Sequence, residues 1–156
     1  MQFNDLKEII NFAIEKEKEA ADFYHEISEE ETMSGAKQML KEFSQEEKKH
    51  QALLEKLINQ GIVEGLDDYK FKWIVDIKRS DFVAEMEYKK GMVYNELLML
   101  AMKREEKALA LYNRLLKETA DTEDSQKLFK MLCQEEAKHK LKLETMYDDY
   151  MAEMGD

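Results

Sequence analysis

The sequence predicts an all-α protein, a four-helix bundle whose second and third helices are joined by one long crossover. Three observations predict it. Among 156 residues there are no prolines and only 5 glycines, and the common residues (Glu, Lys, Leu, Met, Ala) are strong helix formers. Four stretches carry apolar residues at steps of three or four, the spacing of one helix face. The chain also repeats itself. Glu17-Lys18-Glu19-Ala20-Ala21-Asp22-Phe23-Tyr24 returns as Glu105-Glu106-Lys107-Ala108-Leu109-Ala110-Leu111-Tyr112, and Gln45-Glu46-Glu47-Lys48-Lys49-His50 as Gln134-Glu135-Glu136-Ala137-Lys138-His139. The offset is 88 residues from Glu17 to Glu105 and 89 from His50 to His139, so the second half has one extra residue in its loop.

The first hairpin is expected over residues 4–60. Asp5 and Glu8 have capping-box spacing, and Leu6, Ile10, Ala13, Ala20, Tyr24 and Ile27 form the stripe of the first helix, which ends around Glu29 to Glu31. Thr32-Met33-Ser34-Gly35 is a short polar break. The second helix carries Ala36, Met39 or Leu40, Phe43, Leu54 and Leu57, and Gln60-Gly61 ends it. So short a loop makes the two helices antiparallel neighbours.

Residues 61–93 differ in kind. Tyr69-x-Phe71-x-Trp73 alternates like an extended segment, and Asp81 to Lys90 suits a short helix. A segment of this length can run the height of a bundle, so it is expected to be the crossover, with its aromatics covering the bundle or forming a subunit interface. The second hairpin is expected over residues 94–152. Its third helix carries Leu97 or Leu98, Ala101, Ala108, Leu111 or Tyr112, and Leu115. After a polar break at Asp121 to Ser125, the fourth carries Leu128, Leu132, Leu143 and Met146. The acidic tail from Asp148 to Asp156 is expected to fray.

Composition narrows the function. A net charge of −11 argues against nucleic acid and anionic membrane surfaces as partners. No apolar run is long enough to span a bilayer, and Met1-Gln2-Phe3-Asn4-Asp5 lacks the pattern of a secretory signal, so a cytoplasmic location is expected. One cysteine, Cys133, excludes an internal disulfide and a Cys-x-x-Cys metal site.

Each apolar stripe has a gap, and polar residues fill it: Glu17 in the first helix, Glu47 and His50 in the second, Glu105 in the third, Glu136 and His139 in the fourth. A Glu three residues before a His lies on the same helix face, one turn away. Four carboxylates and two imidazoles would then converge at mid-height. Bare, such charges are too costly to bury. Two divalent cations would cancel them, and oxygen and imidazole donors suit iron, manganese or zinc, with paired bridging carboxylates suiting iron most.

This set, two lone glutamates and two Glu-x-x-His pairs, is the one that bundles of the ferritin-like type use. From Leu6 to about Tyr147 the sequence resembles the rubrerythrin branch of the ferritin-like superfamily. The resemblance rests on Ala13 to Tyr24, Glu46 to His50, Ala101 to Tyr112 and Glu135 to His139. It implies two irons, bridged by Glu47 and Glu136 as the catalytic carboxylates, with His50 and His139 on one iron each and Glu17 and Glu105 as terminal ligands. It also implies a di-iron oxidoreductase reducing hydrogen peroxide or oxygen, and a homodimer. Two departures matter. The chain stops before the rubredoxin module typical of the family, so an external electron donor such as a rubredoxin is expected. Ala108 stands where rubrerythrins carry an extra glutamate, which makes the centre more symmetric, as in bacterioferritin-like proteins. Ferrous oxidation with iron storage or delivery is therefore an alternative, and a non-enzymatic interaction protein on the same scaffold is another.

The remaining polar residues are read more plainly. Glu46 and Glu135, one step off the stripe, either support ligands or face solvent. Tyr24 and Tyr112, seven residues after the lone glutamates, either hydrogen-bond a ligand carboxylate across the core or simply pack. His25 is expected at the surface, and Cys133 as a packed thiol.

Overall fold

A computed structural model describes residues 6–30, 34–60, 89, 92–118 and 123–154. Among these it contains four helices and no strand: α1 (Leu6–Glu30), α2 (Ser34–Gln60), α3 (Tyr94–Glu118) and α4 (Glu123–Met154). The all-α bundle expected from the sequence is the fold. Glu8 and Glu96 in the first turns of α1 and α3, and Lys117 in the last turn of α3, complement the helix dipoles. At 25 residues, α1 and α3 are each about 38 Å long.

Packing follows the two hairpins. α1 lies mainly against α2 and α3 against α4, while α1 touches α3 and α2 touches α4 across the middle. The apolar residues form two clusters. One joins Ile9, Ile10 and Ala13 of α1 to Leu54 of α2, Leu115 of α3 and Leu128, Phe129 and Leu132 of α4. The other joins Phe23 and Ile27 to Leu40 and Phe43, Leu98, Ala101 and Met102, and Leu143. The start of α1 therefore shares a layer with the end of α3, and the two run antiparallel. The end of α2 and the start of α3 lie at opposite ends of the bundle.

Every buried Leu, Ile or Phe contributes about 1.5–3 kcal/mol relative to exposure, so the two clusters carry most of the stabilisation. Between them, at mid-height, the stripes are interrupted by Glu17, Glu47, His50, Glu105, Glu136 and His139.

Two expectations call for comment. The tail does not fray at Asp148: α4 continues to Met154, and Tyr150 packs edge-on against Tyr94 with ring centroids 5.0 Å apart. That contact returns apolar area to the last turns, which the acidic composition of the tail concealed. The expected crossover, with its Tyr69-x-Phe71-x-Trp73 run and its short helix, lies outside the described residues apart from Lys89, Met92 and Val93. No helix among the described residues is long and apolar enough to cross a membrane.

Candidate metal centre

Each helix contributes at its midpoint. α1 and α3 bring Glu17 and Glu105; α2 and α4 each bring a Glu and a His one turn apart. All six residues are buried, none more than 4% exposed. They fall into two groups, Glu17, Glu47, His50 and Glu136, and Glu47, Glu105, Glu136 and His139. Within each group the four residues offer one ligand atom apiece, all within 4.8 Å of one another. Glu47 and Glu136 belong to both.

The distances show where the groups converge. His50 Nδ1 lies 3.0 Å from Glu136 Oε1, 3.5 Å from Glu17 Oε2 and 3.8 Å from Glu47 Oε2. His139 Nδ1 lies 2.8 Å from Glu47 Oε1, 3.7 Å from Glu105 Oε1 and 3.9 Å from Glu136 Oε2. The imidazole rings are nearly parallel, 21° apart with centroids separated by 6.0 Å.

Neighbours hold three residues of the cluster. The Tyr112 hydroxyl donates to Glu17 Oε1 and the Tyr24 hydroxyl to Glu105 Oε1. Each tyrosine therefore reaches from its own hairpin to the lone glutamate of the other, the first of the two roles open to it in the sequence. Glu46, a half-exposed residue of α2, pairs with Nε2 of His139 on α4.

The inward-facing atoms are not satisfied. Glu17 Oε2, Glu47 Oε1, Glu105 Oε2, Glu136 Oε2 and His139 Nδ1 are buried without an aligned hydrogen-bond partner. A buried polar atom left alone costs about 1–3 kcal/mol, more when charged. Three lone carboxylate oxygens and the close pair Glu47 Oε1–His139 Nδ1 (2.8 Å) face one space, with Glu17, Glu105 and His139 braced by Tyr112, Tyr24 and Glu46, and together they fit a site that could bind metal ions.

The protonation pattern shows the same strain. Burial, then the charge of Glu47, holds Glu17 well above the ordinary carboxylate range. Burial, then the charges of Glu105 and Glu47, does the same to Glu136. Burial would raise Glu47 too, but hydrogen bonds from Glu17, His139 and His50 outweigh it and hold Glu47 well below. Burial disfavours charge on His50 and His139, yet the surrounding carboxylates outweigh it and hold both above the usual imidazole range. Burial and the adjacent glutamates push both tyrosines up, so both remain hydroxyl donors. Without cations, the cluster is balanced by protons.

A cleft of about 620 Å³ between α1 and α3 reaches the centre. Glu17, Glu47, Glu105 and Glu136 lie along it, with Phe12, Ala20, Leu100, Ala108 and Leu111 as apolar lining and Lys16, Lys103, Arg104 and Lys107 as cations. Ala108 leaves open the place where a longer side chain would stand.

Three features were not assigned from sequence. Glu46 contacts His139, whereas Glu135, its counterpart in the repeat, ion-pairs with Lys138 on its own helix at 3.7 Å. Lys140 is buried at 1% exposure and reaches Glu106 at 3.6 Å. Glu144, one turn on, is also buried. The only sequence signal for the latter two is their place within about a turn and a half of His139. His25 is exposed, as expected. Cys133 is buried beside Asn113, and burial pushes its thiol up to about 12, so it is an inert packed group at neutral pH.

Comparison with curated proteins gives no match, and comparison with solved structures gives none. Residues 2–58 match the family model described as Rubrerythrin, a span that contains Glu17, Glu47 and His50. Taken with the helical bundle and the buried carboxylate–histidine layer, the match over the first hairpin is consistent with a rubrerythrin-like member of the ferritin-like family.

Proposed function

We propose that this chain is a di-iron oxidoreductase that reduces hydrogen peroxide or oxygen with electrons from an external donor such as a rubredoxin. What carries the reading is the pair of buried ligand groups sharing Glu47 and Glu136, with unsatisfied atoms on both sides of the shared carboxylates. Glu47 and Glu136 would bridge the two irons, His50 and His139 would each bind one through Nδ1, and Glu17 and Glu105 would be terminal ligands. Manganese or zinc would fit the same donors.

Two irons bound there would supply two electrons, one each, which with two protons convert one hydrogen peroxide to two waters. The protein's part is positioning and exclusion. Tyr112 and Tyr24 fix the orientation of the terminal carboxylates by donating to one oxygen of each. The apolar clusters on either side keep the layer dry, and the α1–α3 cleft offers a small reactant a path to it. A cytoplasmic homodimer is part of the same proposal.

Iron handling, with ferrous oxidation but no peroxidase turnover, is the second reading. It is favoured by Ala108, which leaves the ligand set two-fold symmetric at the cleft. The test is anaerobic loading with ferrous iron, metal analysis, and steady-state peroxide consumption with a reductant. Two irons per chain, an oxo-bridge absorption after oxidation and sustained turnover are expected. Iron uptake far beyond two per chain without turnover would move the assignment to the second reading. No stoichiometric metal would leave a helical interaction scaffold.

A further inference from the structure

The two halves present matching ligands but not matching supports. His139 has both ring nitrogens engaged: Nδ1 faces Glu47, Glu105 and Glu136, and Nε2 meets the Glu46 carboxylate. His50 has only one. Its Nδ1 faces Glu17, Glu47 and Glu136, and among the described residues no carboxylate meets its Nε2. Glu135, one residue before Glu136 as Glu46 is before Glu47, pairs instead with Lys138 at 3.7 Å.

Local sequence does not explain the difference, because a lysine follows both glutamates at the third position, Lys49 and Lys138. The facing helix does. His139 itself is the main attraction on Glu46, and Lys142, one turn beyond it and over the Phe43 ring, adds a weaker positive influence on that carboxylate. At the 89-residue offset its counterpart beyond His50 is Leu53, a half-buried side chain packed on an apolar cluster. Glu46 is thus drawn across to α4, while nothing comparable draws Glu135 to α2.

A neutral imidazole has one N–H. A carboxylate at Nε2 holds that proton there, leaves the Nδ1 lone pair directed at the cluster, and makes the ring a stronger donor. Such partners typically change metal affinity 10–100-fold. We infer that the two metal subsites are unequal, and that the one formed by Glu47, Glu105, Glu136 and His139 fills first because Glu46 orients His139. Glu46 is a positioning residue, acting through His139. The inference rests on the two-metal centre proposed above, but not on any particular reaction.

The experiment uses the full-length metal-free protein, labelled with ¹⁵N at histidine and titrated with Zn²⁺ under anaerobic conditions at fixed pH. Of the three histidines only His50 and His139 lie in the centre, so two sets of imidazole signals report filling. The His139 signals should move during the first equivalent and those of His50 during the second. Calorimetry should resolve two affinities about tenfold or more apart. Glu46→Gln should weaken the first step about 10–100-fold and bring the steps together, whereas Glu135→Gln should leave both unchanged. Filling of His50 first, simultaneous movement of both, or equal effects of the two variants would overturn the inference. The order of filling in the unsubstituted protein decides the matter even if Glu46→Gln folds poorly. Absence of zinc binding would instead sink the two-metal reading itself.

Discussion

The α1–α2 hairpin and the α3–α4 hairpin are two versions of one unit, and the positions at which they agree separate what the centre requires from what it tolerates. They agree at the proposed ligands, Glu17 with Glu105, Glu47 with Glu136 and His50 with His139. They also agree at Tyr24 and Tyr112, which brace each other's glutamates. They differ elsewhere. Ser44 Oγ donates to the Ala21 carbonyl at 2.7 Å and ties α2 to α1; the equivalent position on α4 is Cys133, whose thiol lies 3.5 Å from Asn113 Oδ1. Lys140 and Glu144 are buried in the second hairpin, where the first has Gln51 and Glu55, a pair joined at 3.0 Å on the surface. Charge compensation leaves little freedom at the centre itself, since changing one ligand unbalances all the others. Each hairpin can tie its own helices together in any way that satisfies the buried atoms.

The largest effect is expected where the halves share a ligand. Glu47→Ala and Glu136→Ala each remove a carboxylate from both groups, so each should abolish the two-metal site. Metal analysis after anaerobic loading should give one equivalent or less. Retention of two equivalents in either variant would refute the bridging assignment. Glu17→Ala and Glu105→Ala remove a ligand from one group only and should each leave one metal bound.

Next come the tyrosines. Tyr24→Phe and Tyr112→Phe each deprive a buried glutamate oxygen of its hydroxyl donor, at a cost of about 1–3 kcal/mol. Urea unfolding of the metal-free protein should show similar losses for both, because the two bonds are related by the repeat. A loss confined to one of them would break the equivalence of the hairpins.

Protonation offers a smaller, continuous test. His50 and His139 are raised above the ordinary 6.5 by the carboxylates around them, against the opposing effect of burial. Groups raised in the folded state contribute stability that is complete below the unfolded value and is lost as pH rises through the folded one. Glu17 and Glu136, raised above 4.5 by burial and by neighbouring carboxylates, act in the same direction. Glu47 is lowered, so its contribution is present at neutral pH and disappears only in acid. The metal-free protein should therefore lose Tm as pH rises above the ordinary imidazole value of 6.5. Metal affinity should rise over the same range, as cations displace those protons. A metal-free Tm that climbs with pH would contradict the proton-balanced cluster.

How much of this could be read beforehand depends on whether a residue broke a pattern. Glu17, Glu47, His50, Glu105, Glu136 and His139 were legible because each fills a gap in an apolar stripe, where a charged side chain has no cheap explanation. The hairpins were legible because their periodicity is long and resumes in register on the far side of each gap. Glu46 and Glu135 could not be told apart, since both sit one step off the stripe with a lysine three residues on; what separates them is the partner helix, which brings His139 and the charge of Lys142 to Glu46, while the repeat counterpart of Lys142 is the apolar Leu53. Lys140 was hidden for a related reason: its neighbour His139 points into the layer, and a helix turns about 100° per residue, so a lysine there should face away. The wall of the cleft at Ala20 and Ala108 is a matter of two helices meeting, which neither helix states alone.

The smallest effect concerns the end of α4, where the acidic tail suggested fraying and the helix instead continues. Tyr150 against Tyr94 is a tertiary contact of the last turns of α4, and an aromatic pair of this geometry is worth about 0.5–1.5 kcal/mol beyond the area it buries. Tyr150→Ala should destabilise the protein by about that amount and speed hydrogen exchange of the amides from Asp148 to Met154. The metal layer, built from residues 17–139, should keep its stoichiometry. Unchanged exchange would mean that helix propensity alone carries the tail, and that α4 is longer than its partners without gaining anything from them. Slower zinc uptake in this variant would mean that the packing at Tyr94, where α3 begins, is felt as far down that helix as Glu105.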